Sequence, residues 1–256
     1  MTDETTDRAG TDRVLQVRNL RKNFDGLVAL DGADLEARDG EIVGLIGPNG
    51  AGKSTLFNCI MGGLQPTDGS VYLRETDVTS YRTSTLVNEG VTRAFQTPRV
   101  FPELTVHENV IINMRHDEEA LLPTAITSVG EDVSSRADEL IEFVGIEHLR
   151  DQPAEELSTG QKKLLNIAST ILGDPEIVLL DEPTAGVNPG LVEVIIETIR
   201  DLNAEGTTYL IVEHDMDVVR ELVDYLYVLA DGTNLVDGGP RETLDDPCVL
   251  EAYFGE

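Results

Sequence analysis

Apolar and polar positions alternate in short pieces over residues 14–46, which is typical of β-strands. Asp-Gly pairs, which favour tight turns, interrupt these pieces. The pairs are Asp25-Gly26, Asp31-Gly32 and Asp39-Gly40. This pattern predicts an N-terminal antiparallel meander, followed by a buried strand at 41–46.

Helical patterns dominate the residues that follow. A helix is predicted from 53 to about 61, where two glycines end it. The segment from about 97 to 157 lacks strand signals, and its stretches 105–114 and 134–144 have helical patterns. The clearest helix spans 158–172, because one face is apolar, Ser158 or Thr159 can cap its start, and Gly-Asp-Pro follows it.

From residue 177 onwards, strands and helices alternate. Strands are predicted at 177–180, 207–212 and 225–229, and helices at 191–204 and 216–223. This is the βαβ pattern of a parallel sheet. We therefore predict an α/β fold with a parallel-sheet core, an N-terminal antiparallel β subdomain and an α-helical subdomain inserted at about 97–172. Residues 1–12 are expected to form a disordered acidic tail, and 13–256 one domain.

Acidic residues dominate the charge of the 256-residue chain: 48 Asp and Glu face 19 Lys and Arg, giving a net charge of −29. This balance argues against nucleic acid as a partner and against a polybasic membrane patch. Because salt screens repulsion between like charges, we expect a salt-rich cytoplasm, as in halophilic archaea. Cys59 and Cys248 are too few for a disulfide framework, and we expect both to be packing groups.

Neither a signal peptide nor an apolar run long enough to cross a membrane is evident in the sequence. The sequence therefore predicts an intracellular protein without a membrane-spanning segment.

A phosphate-binding loop is predicted between the strand at 41–46 and the helix that follows. Its glycines allow backbone N–H groups to point at phosphate oxygens, and the helix adds its positive N-terminal end. Lys53 is expected to reach the β- and γ-phosphates of a nucleotide, and the Ser54 hydroxyl to bind Mg²⁺. The predicted ATP-binding residues of this loop are Gly47, Pro48, Asn49, Gly50, Ala51, Gly52, Lys53, Ser54 and Thr55.

An acidic pair follows the strand predicted at 177–180. Parallel sheets bind ligands at the carboxyl ends of their strands, where Asp181 and Glu182 lie. We expect Asp181 to hold Mg²⁺ and Glu182 to orient or deprotonate an attacking water molecule.

A third motif precedes the helix at 158–172, and it consists of Ser158, Thr159, Gly160 and Gln161. With this motif, the sequence resembles the ATP-binding subunit of an ABC transporter, a P-loop NTPase, over nearly the whole chain. The resemblance implies an ATPase in which this signature segment closes over the ATP of the opposite subunit, so that two cassettes enclose two ATP molecules.

The resemblance also implies roles for isolated residues. Phe24 lies where the family stacks an aromatic ring on adenine, and Gln96 lies where the Q-loop senses Mg²⁺ and water. His214 matches the switch histidine that contacts the γ-phosphate, and Asn188 lies in the D-loop. A histidine at a strand end can equally be structural, and a lone phenylalanine can belong to the core.

Three positions depart from the family pattern. Thr159 replaces a glycine of the signature, Asn188 replaces the usual D-loop aspartate, and Ala94 replaces a threonine before Phe-Gln. None of these changes removes a catalytic group, but the first two leave the contacts between subunits open.

Further motifs resemble the ATPases of branched-chain amino acid importers. They are Phe24-Asp-Gly-Leu-Val-Ala-Leu-Asp-Gly32, Ala185-Gly-Val-Asn-Pro189, Glu213-His-Asp-Met216 and Glu251-Ala-Tyr-Phe-Gly255. The resemblance implies a peripheral position on the cytoplasmic face of the membrane, with two integral-membrane permease subunits, a second ATPase subunit and an extracellular solute-binding protein. Other cargo (urea, short amides or an exported lipid), a soluble ATPase of iron–sulfur assembly, and a homo- or heterodimer all remain open.

Overall fold

The computed structural model describes residues 12–94, 98–112 and 130–254, in which the strands form two sheets. The smaller sheet is antiparallel, with the order β2-β1-β4-β5. Its strands are β1 (Arg13–Phe24), β2 (Leu27–Arg38), β4 (Asp68–Leu73) and β5 (Thr76–Asp77).

The larger sheet forms the centre of the molecule. Its strands are β3 (Ile42–Ile46), β6 (Val91–Ala94), β7 (Ile177–Asp181), β8 (Thr208–Val212), β9 (Tyr225–Ala230) and β10 (Thr233–Gly238). They lie in the order β10-β9-β3-β8-β7-β6, and all pairs are parallel except β9 with β10. The predicted α/β class, with a parallel core and an N-terminal antiparallel sheet, is confirmed.

Helices pack against both faces of this sheet. They are α1 (Lys53–Ile60), α2 (Thr83–Asn88), α3 (Val106–Ile112), α4 (Glu131–Phe143), α5 (Thr159–Ile171), α6 (Pro189–Ala204), α7 (Met216–Leu222), α8 (Pro240–Leu244) and α9 (Pro247–Phe254). The helices predicted from 53, 134, 158, 191 and 216 are therefore present, with ends shifted by a few residues. Residues 1–11 of the tail expected at 1–12, and the end of the helix predicted at 105–114, lie outside the described residues.

Two apolar clusters pack on opposite faces of the larger sheet. All five residues of β3 are buried, and its side chains alternate between the two clusters. Ile42 and Ile46 join the cluster that contains α4 and α5, whereas Val43 and Leu45 join the cluster shared with α1 and the antiparallel sheet. Burial on both faces fixes β3 rigidly, and so fixes the loop that follows it.

The prediction of a turn at Asp31-Gly32 is wrong. Gly32 lies inside β2, where it has a φ of 96° and the pairing with β1 shifts register between Leu20 and Arg21. A Cβ at Gly32 would lie 2.8 Å from Asn19 Oδ1. Gly32 therefore forms a β-bulge, and β2 continues its pairing with β1 on both sides of this bulge.

The two cysteines differ in environment. Cys59 is buried as predicted, and this burial raises the pKa of its thiol to about 11. Cys248 is exposed, so the prediction that it is a packing group is wrong. It lies in α9, on the side of that helix that faces away from the core.

Candidate nucleotide site

The loop from Gly47 to Thr55 connects the buried strand β3 to helix α1. Gly47, Gly50 and Gly52 have φ values of 153°, 86° and 105°, which favour glycine. A Cβ at Gly52 would lie 2.5 Å from the carbonyl oxygen of Ala29. The loop therefore needs glycines both for its path and for its close approach to β2, and it ends at the N-terminus of a helix, where anions bind.

The Lys53 side chain is buried within this loop. Its Nζ donates hydrogen bonds to the carbonyl oxygens of Gly47, at 2.6 Å, and Pro48, at 3.1 Å. Burial lowers the pKa of Lys53, although the nearby carboxylates of Glu182 and Asp181 act in the opposite direction. A cation held in this way is placed for phosphate oxygens that approach the loop.

Asp181 ends β7 and is held by an arginine from the neighbouring strand. The Nη2 atom of Arg93 in β6 lies 2.6 Å from Asp181 Oδ2, and its Nη1 donates to Asn58 Oδ1 at 2.8 Å. Because both members of the ion pair are mostly buried, the carboxylate direction is fixed. Arg93 joins the end of β7 to helix α1.

Glu182 has an uncommon backbone conformation, with a φ of 50°. Its N–H donates to the carbonyl oxygen of Val212, at 2.8 Å, and its own carbonyl oxygen accepts from Lys163 Nζ, also at 2.8 Å. A left-handed conformation at a residue other than glycine is disfavoured and persists only where the surroundings hold it. Here a strand on one side and a helix on the other hold it.

His214 lies beside Glu182 at the end of the adjacent parallel strand. Its Nε2 is 2.7 Å from Glu182 Oε1. Behind them, the buried carboxylate of Glu213 accepts hydrogen bonds from the N–H and hydroxyl of Thr184, at 3.0 and 2.7 Å, and from the N–H of His214, at 3.1 Å. Glu213 thus ties together the two loops that carry Glu182 and His214.

A cleft of about 390 Å³ brings most of the predicted residues together. Phe24 forms part of one wall, 41% exposed, with the Lys22 ammonium 5.1 Å from its ring centroid. Residues 49–55 of the phosphate-binding loop also line the cleft, together with Asp181, Glu182 and His214. One cleft therefore offers an aromatic surface, a cation and backbone donors for phosphate, and carboxylates.

The cleft also offers oxygen donors for a divalent cation. The Ser54 hydroxyl and the Asp181 carboxylate both line it, and Mg²⁺ prefers oxygen ligands and is often held by only one or two protein groups together with phosphates. Within the described residues no group of three or more His, Cys, Asp or Glu side chains can hold a metal ion by itself. These two residues fit a metal that arrives with a nucleotide.

The signature segment lies at the start of α5. Ser158 caps this helix: its Oγ accepts from Gln161 N–H at 3.3 Å, and Gln161 Oε1 accepts from Ser158 N–H at 2.9 Å. Thr159 is exposed, whereas Gly160 is buried where any Cβ would clash with Leu191 of α6. Of the two capping residues predicted, Ser158 and Thr159, Ser158 is the one that caps the helix.

The D-loop residue has a structural role of its own. The Asn188 side chain caps α6 by accepting from Leu191 N–H at 3.1 Å. Neither Asn188 nor the signature residues, all within the described part of the chain, line the cleft that holds Lys53. Gln96 lies outside the described residues.

Sequence reasoning missed four residues that hold this site: Arg93, Lys163, Glu213 and Tyr253. The Tyr253 hydroxyl accepts a hydrogen bond from Gly47 N–H at 2.7 Å, and burial raises the pKa of this hydroxyl. Glu213 and Tyr253 lie in segments that carried the family resemblance, which was the available signal. Arg93 and Lys163 are recognisable only from the packing of distant strands and helices.

Comparisons with known proteins agree with this geometry. The family model described as ABC transporter matches residues 30–185, which is more than half of the chain. The chain is 38% identical over 254 residues to a protein of Methanocaldococcus jannaschii named "Probable branched-chain amino acid transport ATP-binding protein LivG", covering 96% of this chain and 99% of that one. It is also 38% identical over 251 residues to the Escherichia coli protein named "High-affinity branched-chain amino acid transport ATP-binding protein LivG", covering 95% and 98%.

Solved structures give the same result. A nucleotide-free ATP-binding cassette from an ABC transporter is 37% identical, with a TM-score of 0.85, and covers 95% of this chain and 100% of that one. The ADP conformation of an ATP-binding cassette is also 37% identical, with a TM-score of 0.86, covering 95% and 99%. Over the described ranges 12–94, 98–112 and 130–254, no helix has both the length and the apolar character needed to cross a bilayer.

Proposed function

Since this chain belongs to the ABC transporter family of ATP-hydrolysing, nucleotide-binding subunits, we propose that it powers the import of branched-chain amino acids through membrane permease partners. The observation that carries the ATPase assignment is the single cleft that joins the phosphate-binding loop to Asp181, Glu182 and His214. The assignment of branched-chain amino acids as the cargo rests on the names of the relatives.

In this proposal, residues of the cleft bind and orient ATP. Phe24 stacks on the adenine ring, and the N–H groups of the loop, together with Lys53, hold the β- and γ-phosphates. Ser54 and Asp181 hold Mg²⁺, with Gln96 as a further ligand, and the metal neutralises phosphate charge when it is bound.

Hydrolysis itself falls to Glu182 and His214. The Glu182 carboxylate accepts a proton from water as that water attacks the γ-phosphorus, and the bond to the bridging oxygen breaks to leave ADP and phosphate. His214, 2.7 Å from Glu182, orients this carboxylate and contacts the γ-phosphate. Ser158, Thr159, Gly160 and Gln161 complete the ATP site of a second subunit, with Asn188 at the same interface.

The proposed permease contact lies on another face. A groove of about 430 Å³ is lined by α2, β6 and α5, and includes Arg99 from the segment that follows Gln96. Because the groove lies between α2 and α5 and includes the segment that follows Gln96, we take it as the contact for a permease loop. We place the subunit on the cytoplasmic face of the membrane, in a complex of two permeases and two ATPases that a solute-binding protein supplies.

The test compares Glu182→Gln with wild type in ATP hydrolysis and in cellular uptake of labelled leucine, isoleucine and valine. Loss of a general base costs about 10²- to 10⁴-fold in turnover, so hydrolysis and uptake should both collapse while ATP still binds. Glu197→Gln removes the same charge from an exposed position of α6 and should change neither.

Two results would contradict parts of the proposal. Wild-type turnover in Glu182→Gln would refute the mechanism. If the wild type hydrolyses ATP and uptake of the three amino acids is unchanged in Glu182→Gln cells, the cargo assignment is wrong, and loss of labelled urea uptake would identify another cargo.

A further inference from the structure

Lys163 is a buried lysine that joins the signature helix to the backbone of Glu182. It lies one turn into α5, and 5% of its surface is exposed. Its Nζ donates to the Glu182 carbonyl oxygen at 2.8 Å. A helix that begins with the signature segment therefore reaches the loop of the candidate catalytic carboxylate within the same chain.

The hydrogen bond falls on the residue whose backbone most needs support. Glu182 has a φ of 50°, and only its N–H is held by β8, through Val212. At its other end, the carbonyl oxygen accepts hydrogen bonds from the Lys163 ammonium, at 2.8 Å, and from the N–H of Ala185, at 3.2 Å. Because φ and ψ of Glu182 determine where its Cβ points, contacts at both ends of its backbone bear on the direction of its carboxylate.

Charge supports the same arrangement. Burial lowers the pKa of the Lys163 ammonium, and the nearby carboxylates of Glu213 and Glu182 act in the opposite direction. Glu213 in turn bonds Thr184 and His214. Lys163 and Glu213 thus both support the Glu182–His214 pair, the lysine through the Glu182 carbonyl oxygen and the carboxylate through Thr184 and His214.

We propose that Lys163 is a positioning residue that fixes the Glu182 carboxylate and makes its direction depend on the placement of α5. This rests on the proposed function, in which Glu182 is the base and the signature segment contacts the ATP of the second subunit. Closure of the signature segment on one ATP molecule is then transmitted through Lys163 to the hydrolytic carboxylate beside the other.

The test uses Lys163→Met, Lys163→Arg and, as a matched control, Lys162→Met in the assembled transporter. Lys162 is the adjacent lysine of α5 and donates to Glu155 O, away from the site, at 3.3 Å. Small misplacement of a reacting group costs up to about 10²-fold, so kcat of Lys163→Met should fall about 10- to 100-fold with KM for ATP nearly unchanged. Lys163→Arg should recover most of this loss, and Lys162→Met should resemble wild type.

A double-mutant cycle separates positioning from general support. If Lys163 acts through Glu182, adding Lys163→Met to Glu182→Gln should lower kcat no further. Additive losses, a wild-type kcat in Lys163→Met, or a rise in KM alone would overturn the proposal. If Lys163→Met does not fold, Lys163→Leu, which also lacks a donor, replaces it in both measurements with the same criteria.

Failure of this inference is distinguishable from failure of the proposed function. If the Lys163 variants keep the wild-type kcat while Glu182→Gln is inactive, the inference is rejected and the ATPase mechanism stands. An active Glu182→Gln would reject both.

Discussion

Replacing Asn188 with alanine should destabilise the protein through a single lost helix cap. Asn188 has an extended backbone, its side-chain oxygen accepts from Leu191 N–H at 3.1 Å, and Pro189 begins α6 directly after it. Loss of such a cap costs about 1 kcal/mol, within a range of about 0.5–2 kcal/mol. Because Asn188 is exposed, water replaces part of the bond, and we expect a value of about 1 kcal/mol or slightly less.

Urea unfolding measures this loss directly. The slope of the free energy of unfolding against urea concentration should not change. In thermal unfolding, a loss of about 1 kcal/mol lowers the Tm of a chain of this size by about 2–4 °C. Asn188→Asp is the matched variant, since it retains the acceptor and places negative charge at a helix N-terminus, where it is favourable by about 0.3–1 kcal/mol. Repulsion within a chain of net charge −29 opposes that gain, so this variant should remain within about 0.5 kcal/mol of wild type.

Two outcomes would refute the reasoning. Wild-type stability of Asn188→Ala would show that the cap contributes nothing, and equal destabilisation by Asn188→Asp would show that the side chain acts in another way. If the expectation holds, asparagine and the more usual aspartate are equivalent in holding the start of α6.

Three other measurements test separate features. Tyr253→Phe removes the acceptor for Gly47 N–H, so it should lower the free energy of unfolding in urea by about 0.5–1.5 kcal/mol. It should also weaken ATP binding, as measured by calorimetric titration. An unchanged affinity for ATP would show that Tyr253 supports only the fold. Hydrogen bonds from Arg150 hold the pKa of Asp138 below its usual range. The stabilisation from these bonds is therefore present above the unfolded-state pKa of about 4 and is lost as pH falls through the folded-state pKa. Asp138→Asn should reduce the loss of stability at acidic pH, and an unchanged loss would contradict this. Raising salt from about 0.01 to 1 M should raise Tm, because screening weakens the repulsion of a net charge of −29; a falling or constant Tm would refute the salt-rich setting expected from composition.

The parts of the fold that the sequence predicted are those with a local signal. Helix α5 has an apolar face, a serine cap and a proline stop, and strand β3 is an apolar run against a glycine. Strands β4 and β6 were not predicted, because they are short and their identity depends on partners far along the chain, such as β1 for β4. The same limit explains Gly32, since a bulge and a turn share the Asp-Gly signal.

The candidate site divides in the same way. The phosphate-binding loop, Asp181, Glu182 and His214 could be predicted because each lies in a contiguous motif or at a strand end, and one cleft joins them. Arg93 and Lys163 could not, because each acts on a carboxylate or carbonyl 88 or 19 residues away. Contacts of this kind arise from the order of strands, which a local pattern does not contain.

The bond from Tyr253 to Gly47 also orders events during synthesis on the ribosome. The phosphate-binding loop follows β3, whose two neighbours in the sheet, β8 and β9, begin 166 and 183 residues after β3 begins. The hydroxyl that holds Gly47 comes later still, 206 residues after it. A nascent chain therefore carries its nucleotide loop without the flanking strands until β8 and β9 have been synthesised. Competence to bind ATP should arise only after β8, β9 and Tyr253 have been synthesised, so ATP cannot guide the folding of the segments that precede them.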